Sequence, residues 1–271
     1  MGNEWRIKMN WEFVLFNKED GIGTITLNRP GAMNALGGGM RQEILAALEV
    51  AVADSEVKVI VITGAGKAFC AGGDVKEFVS GGTRAEANLP IDQRPTRDKV
   101  ILLIQATGKP VIASVNGAAA GGGCNLALSC DLRIASDRAR FGQVFVRRGL
   151  HPDWGGIWFL PRLVGYAKAA ELIFSGEVID AHEALRIGLV NKVVPHKELP
   201  KATKDFALKF MKSAPIPVAL AKKALQNYSR IDLAQALDHE RLAQSLCWNT
   251  EDREEGMRSF VEKREPIFTG R

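Results

Sequence analysis

Residues 111–131 read VIASVNGAAAGGGCNLALSCD, and this stretch decides the fold. The β-branched, apolar run at residues 111–115 is typical of a buried strand. A loop of Gly and Ala follows, and the apolar residues at 124–128 then indicate a buried helix. A strand that passes through glycines into a helix start leaves backbone N–H groups without acceptors and lets a ligand approach them closely. The sequence therefore predicts a site for an electron-rich group.

The residues around these glycines limit which electron-rich group the loop can hold. The spacing of Gly117 and Gly122 is that of a phosphate-binding loop, but Gly123 and Cys124 stand where such a loop needs Lys and Ser or Thr. Ala119 occupies the position of the second glycine in the dinucleotide-binding fingerprint. An N–H donor site without a charged side chain beside it favours the developing oxyanion of a carbonyl over a phosphate.

A second loop of the same design lies earlier in the chain. Residues 63–78 read TGAGKAFCAGGDVKEF and follow a β-branched run at residues 57–62. Asp74 is placed to cap the helix that follows the glycines. Residues 40–53 have the apolar spacing of a crossover helix, so we expect the strands to be parallel. Helix starts beside neighbouring parallel strands can point at one spot, which predicts an oxyanion hole with two donors.

The composition limits the class of protein. The 271 residues are 46% hydrophobic and 25% charged, as in soluble globular proteins. The net charge of +5 is weak evidence for an anionic ligand. Because the basic residues form no block, it is poor evidence for binding to nucleic acid. No apolar run is as long as a membrane helix, residues 1–10 lack the apolar core of a signal peptide, and the four cysteines form no CxxC pair. We therefore expect a cytoplasmic protein without nucleic-acid or membrane partners.

The chain is expected to divide into an α/β core at residues 1–195 and a helical portion at residues 196–271. Within the core, residues 139–165 are irregular and rich in aromatic residues and glycine. We expect four of them to line an apolar pocket: Trp154, Trp158, Phe159 and Leu160.

Several ordered segments resemble the crotonase superfamily, which comprises the enoyl-CoA hydratases and isomerases. They are NRPGAMNAL (28–36), VIVITGAGKAFCAGGDVKEF (59–78), KPVIASVNGAAAGGGCNLALSCDLRIAS (109–136), SGEVIDAHEALRIGLVNKVV (175–194) and EGMRSFVEKREPIF (255–268). The resemblance implies an α/β spiral of ββα units with a helical C-terminal portion that assembles homotrimers or hexamers. It also implies acyl-CoA thioester substrates.

The same resemblance implies where a substrate would bind. The thioester oxygen would accept hydrogen bonds from the backbone N–H groups of Gly73 and Gly122. Coenzyme A is expected as part of the substrate, with no separate cofactor and no metal. Its expected contacts are Ala32, Met33, Gly73, Asp74, Val75, Lys76, Gly122, Phe260 and Lys263. Of these, Phe260 and Lys263 are expected from a neighbouring subunit. The alternative for Lys76 and Lys263 is an ordinary solvated surface charge.

Two positions depart from the pattern of the hydratases that this chain resembles. Those enzymes carry two glutamates that handle water and the α-proton, and the corresponding residues here are Asn125 and Phe145. Asn can hold a water molecule but cannot take a proton, and Phe can do neither. Hydration by a pair of glutamates is therefore not expected.

One carboxylate remains in the same neighbourhood, that of Asp153 in GLHPDWGG. Some isomerase and dehalogenase members of the superfamily place a catalytic Asp here, and an apolar pocket would raise its pKa towards neutrality. The alternative is that Asp153 caps a helix beginning at Trp154. His151 is expected either to pack against its neighbours or to support Asp153 without contacting the substrate. The dehalogenase branch is not favoured, because residues 97–106 lack the His that it needs.

The leading hypothesis is an enzyme that shifts the double bond of an enoyl-CoA. The oxyanion hole would stabilise a thioester enolate, and Asp153 would move a proton between two carbons of the acyl chain. Two alternatives stay open: an enoyl-CoA hydratase with a non-standard acid or base, and a non-catalytic relative that binds acyl-CoA or RNA.

Overall fold

A computed structural model describes residues 11–80 and 93–271. Residues 1–10, on which the expected lack of a signal peptide depends, lie outside this range. The strands are β1 (Val14–Glu19), β2 (Ile22–Leu27), β3 (Val59–Gly64), β4 (Ala68–Cys70), β5 (Val111–Val115), β6 (Ala118–Ala120), β7 (Leu132–Ser136), β8 (Arg140–Gly142), β9 (Val178–Asp180) and β10 (Lys192–Val194).

Helices follow or connect these strands along the chain. They are α1 (Met40–Ala53), α2 (Val75–Val79), α3 (Thr96–Ala106), α4 (Gly122–Ser129), α5 (Gly156–Val164), α6 (Tyr166–Ser175), α7 (Ala181–Arg186), α8 (Leu199–Met211), α9 (Pro215–Asn227), α10 (Leu233–Trp248) and α11 (Glu251–Glu262). None of the described helices is both long and apolar enough to cross a membrane.

The strands form two sheets that the chain visits in turn. The larger sheet has the order β1-β2-β3-β5-β7-β10, and the smaller has the order β4-β6-β8-β9. Strands β1 and β2 form an antiparallel hairpin, while β3, β5, β7 and β10 are parallel to their neighbours, as predicted. Three successive turns (β3–β4, β5–β6 and β7–β8) each place one strand in each sheet. This repetition is the spiral of ββα units that the sequence predicted.

The glycine stretch contains a strand where the sequence analysis expected a loop. Residues 118–120 form β6, which pairs in parallel with β4 and β8. Ala is a weak strand former, so its propensity predicts no strand here. The pairing is possible because the backbones approach closely: a Cβ on Gly117 would collide with the carbonyl of Lys67.

Both faces of the larger sheet are covered. On one face, α1 and α3 pack against apolar strand residues such as Ile60 and Ile62, which are fully buried. On the other face, Leu199 and Ala207 of α8 pack against Val61 and its neighbours. Parallel strands buried on both faces explain the continuous β-branched runs in the sequence. The predicted boundary near residue 195 stays a prediction, and α8, which follows it, covers the sheet.

The C-terminal helices are joined to the core by a buried ion pair. Lys222 of α9 lies with its Nζ 2.8 Å from Oδ2 of Asp131, and it also donates to the backbone carbonyls of Ile104 and Lys109. Burial raises the pKa of the Asp131 carboxyl, and the Lys222 ammonium opposes this rise. The pair therefore fastens α9 to the loop that follows α4.

Replacing Lys222 with Met is expected to lower the free energy of unfolding by about 3 kcal/mol, because it leaves the Asp131 carboxylate buried without its cation. Urea unfolding at one fixed protein concentration measures the change. Lys201→Met is the control, since the Lys201–Asp205 pair is exposed and is worth at most about 1 kcal/mol. Equal losses for the two variants would contradict the role given to Lys222.

Candidate active site

The parallel pairing of β4 and β6 brings the two glycine loops together. Each loop begins where its strand ends, and Ala68 and Ala118 are partners in the register of the two strands. At Gly72 the loops touch: a Cβ there would lie 2.6 Å from the carbonyl oxygen of Ala120 and 3.3 Å from the nitrogen of Gly122. Only glycine fits such a contact, so the glycines of both loops are required by their proximity.

Two backbone amides next to this contact are available as donors. Gly122 is the first residue of α4, where an N–H group has no acceptor inside the helix. Among the turn, loop and cap hydrogen bonds of the described residues, neither Gly73 nor Gly122 donates to a backbone carbonyl. Both residues line one cavity of about 560 Å³. Two amides at one cavity are the arrangement that the oxyanion prediction requires.

The cavity wall is mostly apolar and also includes charged groups. Its apolar lining includes Leu36, Val75, Phe78, Val144, Phe145, Leu150 and Trp154. Its charged or titratable lining comprises Arg41, Arg97, Arg148, His151 and Asp153. Such a site can hold an acyl chain along the apolar wall and stabilise negative charge at the glycines.

Aromatic side chains cover both glycines. A Cβ on Gly122 would lie 2.9 Å from Cδ1 and 3.0 Å from Nε1 of Trp154, and a Cβ on Gly73 would collide with the ring of Phe78. Trp154 is buried and has a φ of 51°, a left-handed conformation that is costly for a bulky residue. The buried Trp154 ring lowers the polarity around the Gly122 donor, which strengthens a hydrogen bond made there, whereas Phe78 beside Gly73 is itself 39% exposed.

The carboxyl group of Asp153 lies in the same cavity. Its Oδ1 is buried and has no hydrogen-bond partner among the described residues. Burial raises the pKa of Asp153, while the positive charges of Arg97 and Arg41 oppose the rise. A carboxyl group whose pKa is raised towards neutrality can both take and return a proton.

Asp153 does not cap a helix, so the alternative reading of this residue is wrong. Helix α5 begins at Gly156 with Gly155 as its N-cap, and no side chain makes a capping hydrogen bond there. Left-handed conformations at Trp154 and Gly155 separate Asp153 from the helix start. This turn directs the chain away from the cap position.

The two positions that the hydratase pattern fills with glutamate offer no carboxylate. Phe145 lines the cavity with its ring. Asn125 is fully buried and is absent from the cavity lining. Its Nδ2 donates to the carbonyl of Asp153 at 2.7 Å, and its Oδ1 accepts from Nε2 of Gln143 at 2.7 Å. Asn125 therefore bonds to the protein and not to a water molecule at the cavity wall.

Of the four residues expected to line an apolar pocket, Trp154 lines this cavity, Trp158 and Phe159 line a separate and mostly apolar cavity beside α9, and Leu160 lines neither. Phe159 and Leu160 belong to the hydrophobic core. Trp158 stacks with guanidinium groups, which lie 3.2 Å (Arg162) and 4.2 Å (Arg230) from its ring centre. The physical reason is that residues 158–160 lie on α5, whose apolar face packs inward, whereas Trp154 lies on the preceding loop.

The residues expected to contact coenzyme A lie partly at this cavity. Gly73 and Val75 line it. Asp74 caps α2 as predicted, accepting from the N–H groups of Lys76 and Glu77, and Arg29 lies 2.8 Å from its Oδ2. The guanidinium of Arg29 lowers the pKa of the Asp74 carboxyl. The Asp74 carboxylate is thus bonded within the protein. A ligand at this loop would therefore meet the backbone and the exposed side chain of Lys76.

The remaining expected contacts lie outside the cavity lining. Ala32 and Met33 form a turn beside the Gly73 loop, and the carbonyl of Met33 accepts from the N–H of Ala71. Phe260 is exposed near the end of α11, and Lys263 follows that helix. The contribution of these last two residues from a neighbouring subunit stays a prediction.

A family model for the enoyl-CoA hydratases and isomerases matches residues 17–271. The chain belongs to the enoyl-CoA hydratase/isomerase family. It is 43% identical over 252 residues to the short-chain-enoyl-CoA hydratase of Clostridium acetobutylicum, a match covering 93% of this chain and 95% of that protein. It is 42% identical over 261 residues to the crotonyl-CoA hydratase of Syntrophomonas wolfei, covering 96% of this chain and 99% of that protein.

Solved structures of this family confirm the fold. The crystal structure of an enoyl-CoA hydratase from Bacillus anthracis superposes with a TM-score of 0.87 at 35% identity, covering 96% of this chain and 100% of that one. A hydratase/isomerase structure from Mycobacterium abscessus gives a TM-score of 0.88 at 33% identity, covering 95% and 100%. The predicted crotonase-type spiral is therefore correct.

Some cavity residues of this family member escaped the sequence analysis. Phe78 and Arg97 are the clearest cases, because both line the cavity without belonging to a glycine loop. Arg97 is the second residue of α3 and follows a polar stretch without periodicity, so no local pattern marks it. Phe78 lies one helical turn beyond Asp74, and this spacing from the cap was the available signal.

Gly122→Ala is expected to lower kcat for enoyl-CoA turnover by about 100-fold, because the added Cβ displaces Trp154 and disturbs one of two donors. Steady-state kinetics on a purified, folded variant measure the change. Gly256→Ala in α11 is the matched control, since its Cβ meets Phe268 at an ordinary 3.5 Å. Normal turnover in Gly122→Ala would contradict the donor role.

Asp153→Asn is expected to raise the free energy of unfolding near pH 7.5 and to leave it unchanged near pH 4. The raised pKa means that the folded state holds the proton of Asp153 more tightly than the unfolded state does. The stability that this proton supplies is complete below the unfolded pKa and is lost as pH rises through the folded pKa. Urea unfolding of both proteins at the two pH values tests this, and a difference independent of pH would refute it.

Proposed function

We propose that the protein is an acyl-CoA enzyme that moves the double bond of an enoyl-CoA, with Asp153 as the proton carrier. One observation carries the proposal: the carboxyl group of Asp153, whose buried Oδ1 has no hydrogen-bond partner among the described residues, lies in the same cavity as the Gly73 and Gly122 amides. Membership of the enoyl-CoA hydratase/isomerase family supports the thioester substrate.

The proposed reaction starts from a 3-enoyl-CoA. The Asp153 carboxylate takes a proton from C2, and the electron pair of the C2–H bond forms an enolate whose charge rests on the thioester oxygen. The amides of Gly73 and Gly122 donate to that oxygen. The electron pair then returns through C2 to C4, C4 takes the proton back from Asp153, and the double bond ends between C2 and C3. No water is consumed, and one carboxyl group serves both proton transfers.

The environment of Asp153 suits this double role. An ordinary Asp carboxylate is too weak a base at neutral pH, and burial strengthens it by raising its pKa. The positive charges of Arg97 and Arg41 oppose this rise and favour the ionised form of the carboxyl group. The Phe145 ring at the cavity wall keeps the space beside C3 apolar, which disfavours a positioned water molecule.

Coenzyme A is proposed to lie along the turn at Ala32 and Met33 and along α2, where Lys76 faces its phosphates. Phe260 and Lys263 of a neighbouring copy complete this site in a homotrimer or hexamer. The exposed apolar residues of the C-terminal helices, such as Leu242 and Leu246, support an assembly through this portion of the chain.

A second candidate is an enoyl-CoA hydratase with an unusual acid or base. The observation that favours it is the name of the most similar relatives reported above, both of which are hydratases. Against it stand Asn125 and Phe145, neither of which can move a proton. The two candidates differ in their product, since a hydratase forms a 3-hydroxyacyl-CoA.

The test is to incubate the purified protein with 3-hexenoyl-CoA and with crotonyl-CoA and to identify the products by chromatography. We expect conversion of 3-hexenoyl-CoA to 2-hexenoyl-CoA, little hydration of crotonyl-CoA, and a loss of about 10³-fold in kcat in Asp153→Asn. The control is Asp205→Asn on the exposed face of α8, which should keep full activity. Fast hydration of crotonyl-CoA that Asp153→Asn leaves undiminished would refute the mechanism.

A further inference from the structure

A buried pair of amide side chains connects the oxyanion donor to the proposed proton carrier. Asn125 lies three residues after Gly122, one turn further along α4. Its Nδ2 donates to the backbone carbonyl of Asp153, and its Oδ1 accepts from Gln143, which is itself 2% exposed. We propose that Asn125, oriented by Gln143, is the positioning residue that fixes Asp153 relative to the Gly122 amide. The proposal rests on the function proposed above.

The orientation of the Asn125 side chain is set by its partners. A backbone carbonyl can only accept, so the NH2 group of Asn125 must face Asp153. The oxygen of Asn125 then faces Gln143, whose NH2 group donates to it at 2.7 Å. Both bonds are 2.7 Å long, the one from Gln143 is buried and the one to Asp153 is partly buried, and in such surroundings an unsatisfied partner is costly. The amide pair therefore has one stable arrangement.

The loop that carries Asp153 needs such a fixed point. Trp154 and Gly155 have φ angles of 51° and 76°, and for Trp this conformation costs about 1–3 kcal/mol. Gly156 also packs closely against the Asn125 amide, since a Cβ on Gly156 would collide with it. The hydrogen bond from Asn125 to the carbonyl of Asp153 offsets part of this strain, because Asp153 is the residue directly before Trp154.

This contact would fix the distance between the Gly122 amide, as the hydrogen-bond donor, and Asp153, as the base. Gly122 and Asn125 lie one turn apart on the same helix, so a rigid element connects the proposed oxyanion hole to the carbonyl of Asp153. An error of about 1 Å in the position of a catalytic group can cost about 100-fold in rate. A carboxylate at position 125 lacks the donor that this connection needs.

The charges around Asp153 come from several elements. Arg41 lies on α1, Arg97 and Asp98 lie on α3, and all three act on the charge of Asp153. His151 lies on the same loop and lines the cavity, and Glu77 of α2 lies 3.7 Å from Arg41. If the loop loosens, the carboxyl group gains water while these charges remain, and the acid limb of the rate profile moves to lower pH.

The test compares Asn125→Leu with the wild type in four measurements: folding by circular dichroism, the Kd of crotonyl-CoA, kcat for 3-hexenoyl-CoA, and the pH profile of kcat/KM. We expect a fall in kcat of about 100-fold, a Kd within threefold of the wild type, and an acid limb shifted to lower pH. Asn116→Leu is the matched control, because Asn116 is also buried and donates to backbone carbonyls, those of Gly66 and Ala68. It should leave the acid limb in place.

Asn125→Asp provides a second route if the Leu variant does not fold. It keeps the shape and the bond from Gln143 but, when ionised, cannot donate to Asp153, so kcat at pH 8 should fall while the Kd of crotonyl-CoA stays. A folded Asn125 variant with normal kcat and an unmoved acid limb overturns the positioning role. Full activity in Asp153→Asn overturns instead the proposed function, whatever the Asn125 variants do.

Discussion

The parallel pairing of β4 with β6 is the constraint on which the rest of the site depends. Each of these short strands is the second strand of its ββα turn, and each ends in a glycine loop. Because the strands are neighbours, the loops are brought into contact, and Gly72 has no room for a side chain beside Ala120. The helix start at Gly122 then lies at the same cavity as Gly73. Two successive turns of the same kind, β3–β4 and β5–β6, thus each supply one of the two donors.

The chemistry at this cavity is set by which charged group accompanies the donors. The proposed oxyanion hole consists of backbone and therefore tolerates changes in the side chains around it. Asn125 and Phe145 stand where the resemblance to hydratases leads us to expect carboxylates, and Asp153 places one at the cavity from a different loop. The same scaffold can in this way support another proton transfer without a change in topology.

Much of the fold and part of the site could be predicted from the sequence. Glycine loops, β-branched runs and the cap at Asp74 are local signals, and the structure places them as expected. The strand at residues 118–120 was missed because its three alanines pair through backbone contacts that no propensity encodes. The cavity residues Phe78 and Arg97 were missed for a related reason, since their neighbours are distant in the chain.

The reading of Asp153 shows where sequence patterns reach their limit. An Asp shortly before a helix is typical of a cap, and the left-handed turn at Trp154 that prevents capping has no clear local signature. The role proposed for Asn125 was likewise not visible in the sequence. There, Asn125 shows only that a glutamate of the hydratase pattern is missing, and its hydrogen bond to the distant carbonyl of Asp153 cannot be seen. Both residues acquire their meaning from the tertiary contact between α4 and the loop before α5.

In the proposed reaction a proton, and not water, is transferred to the acyl chain. The mass spectrum of the products formed from 3-hexenoyl-CoA in water enriched in both ²H and ¹⁸O distinguishes the two. We expect 2-hexenoyl-CoA that carries no ¹⁸O, with deuterium entering at C4 to the extent that Asp153 exchanges its proton with solvent. A main product of ¹⁸O-labelled 3-hydroxyhexanoyl-CoA, formed equally well by Asp153→Asn, would contradict it.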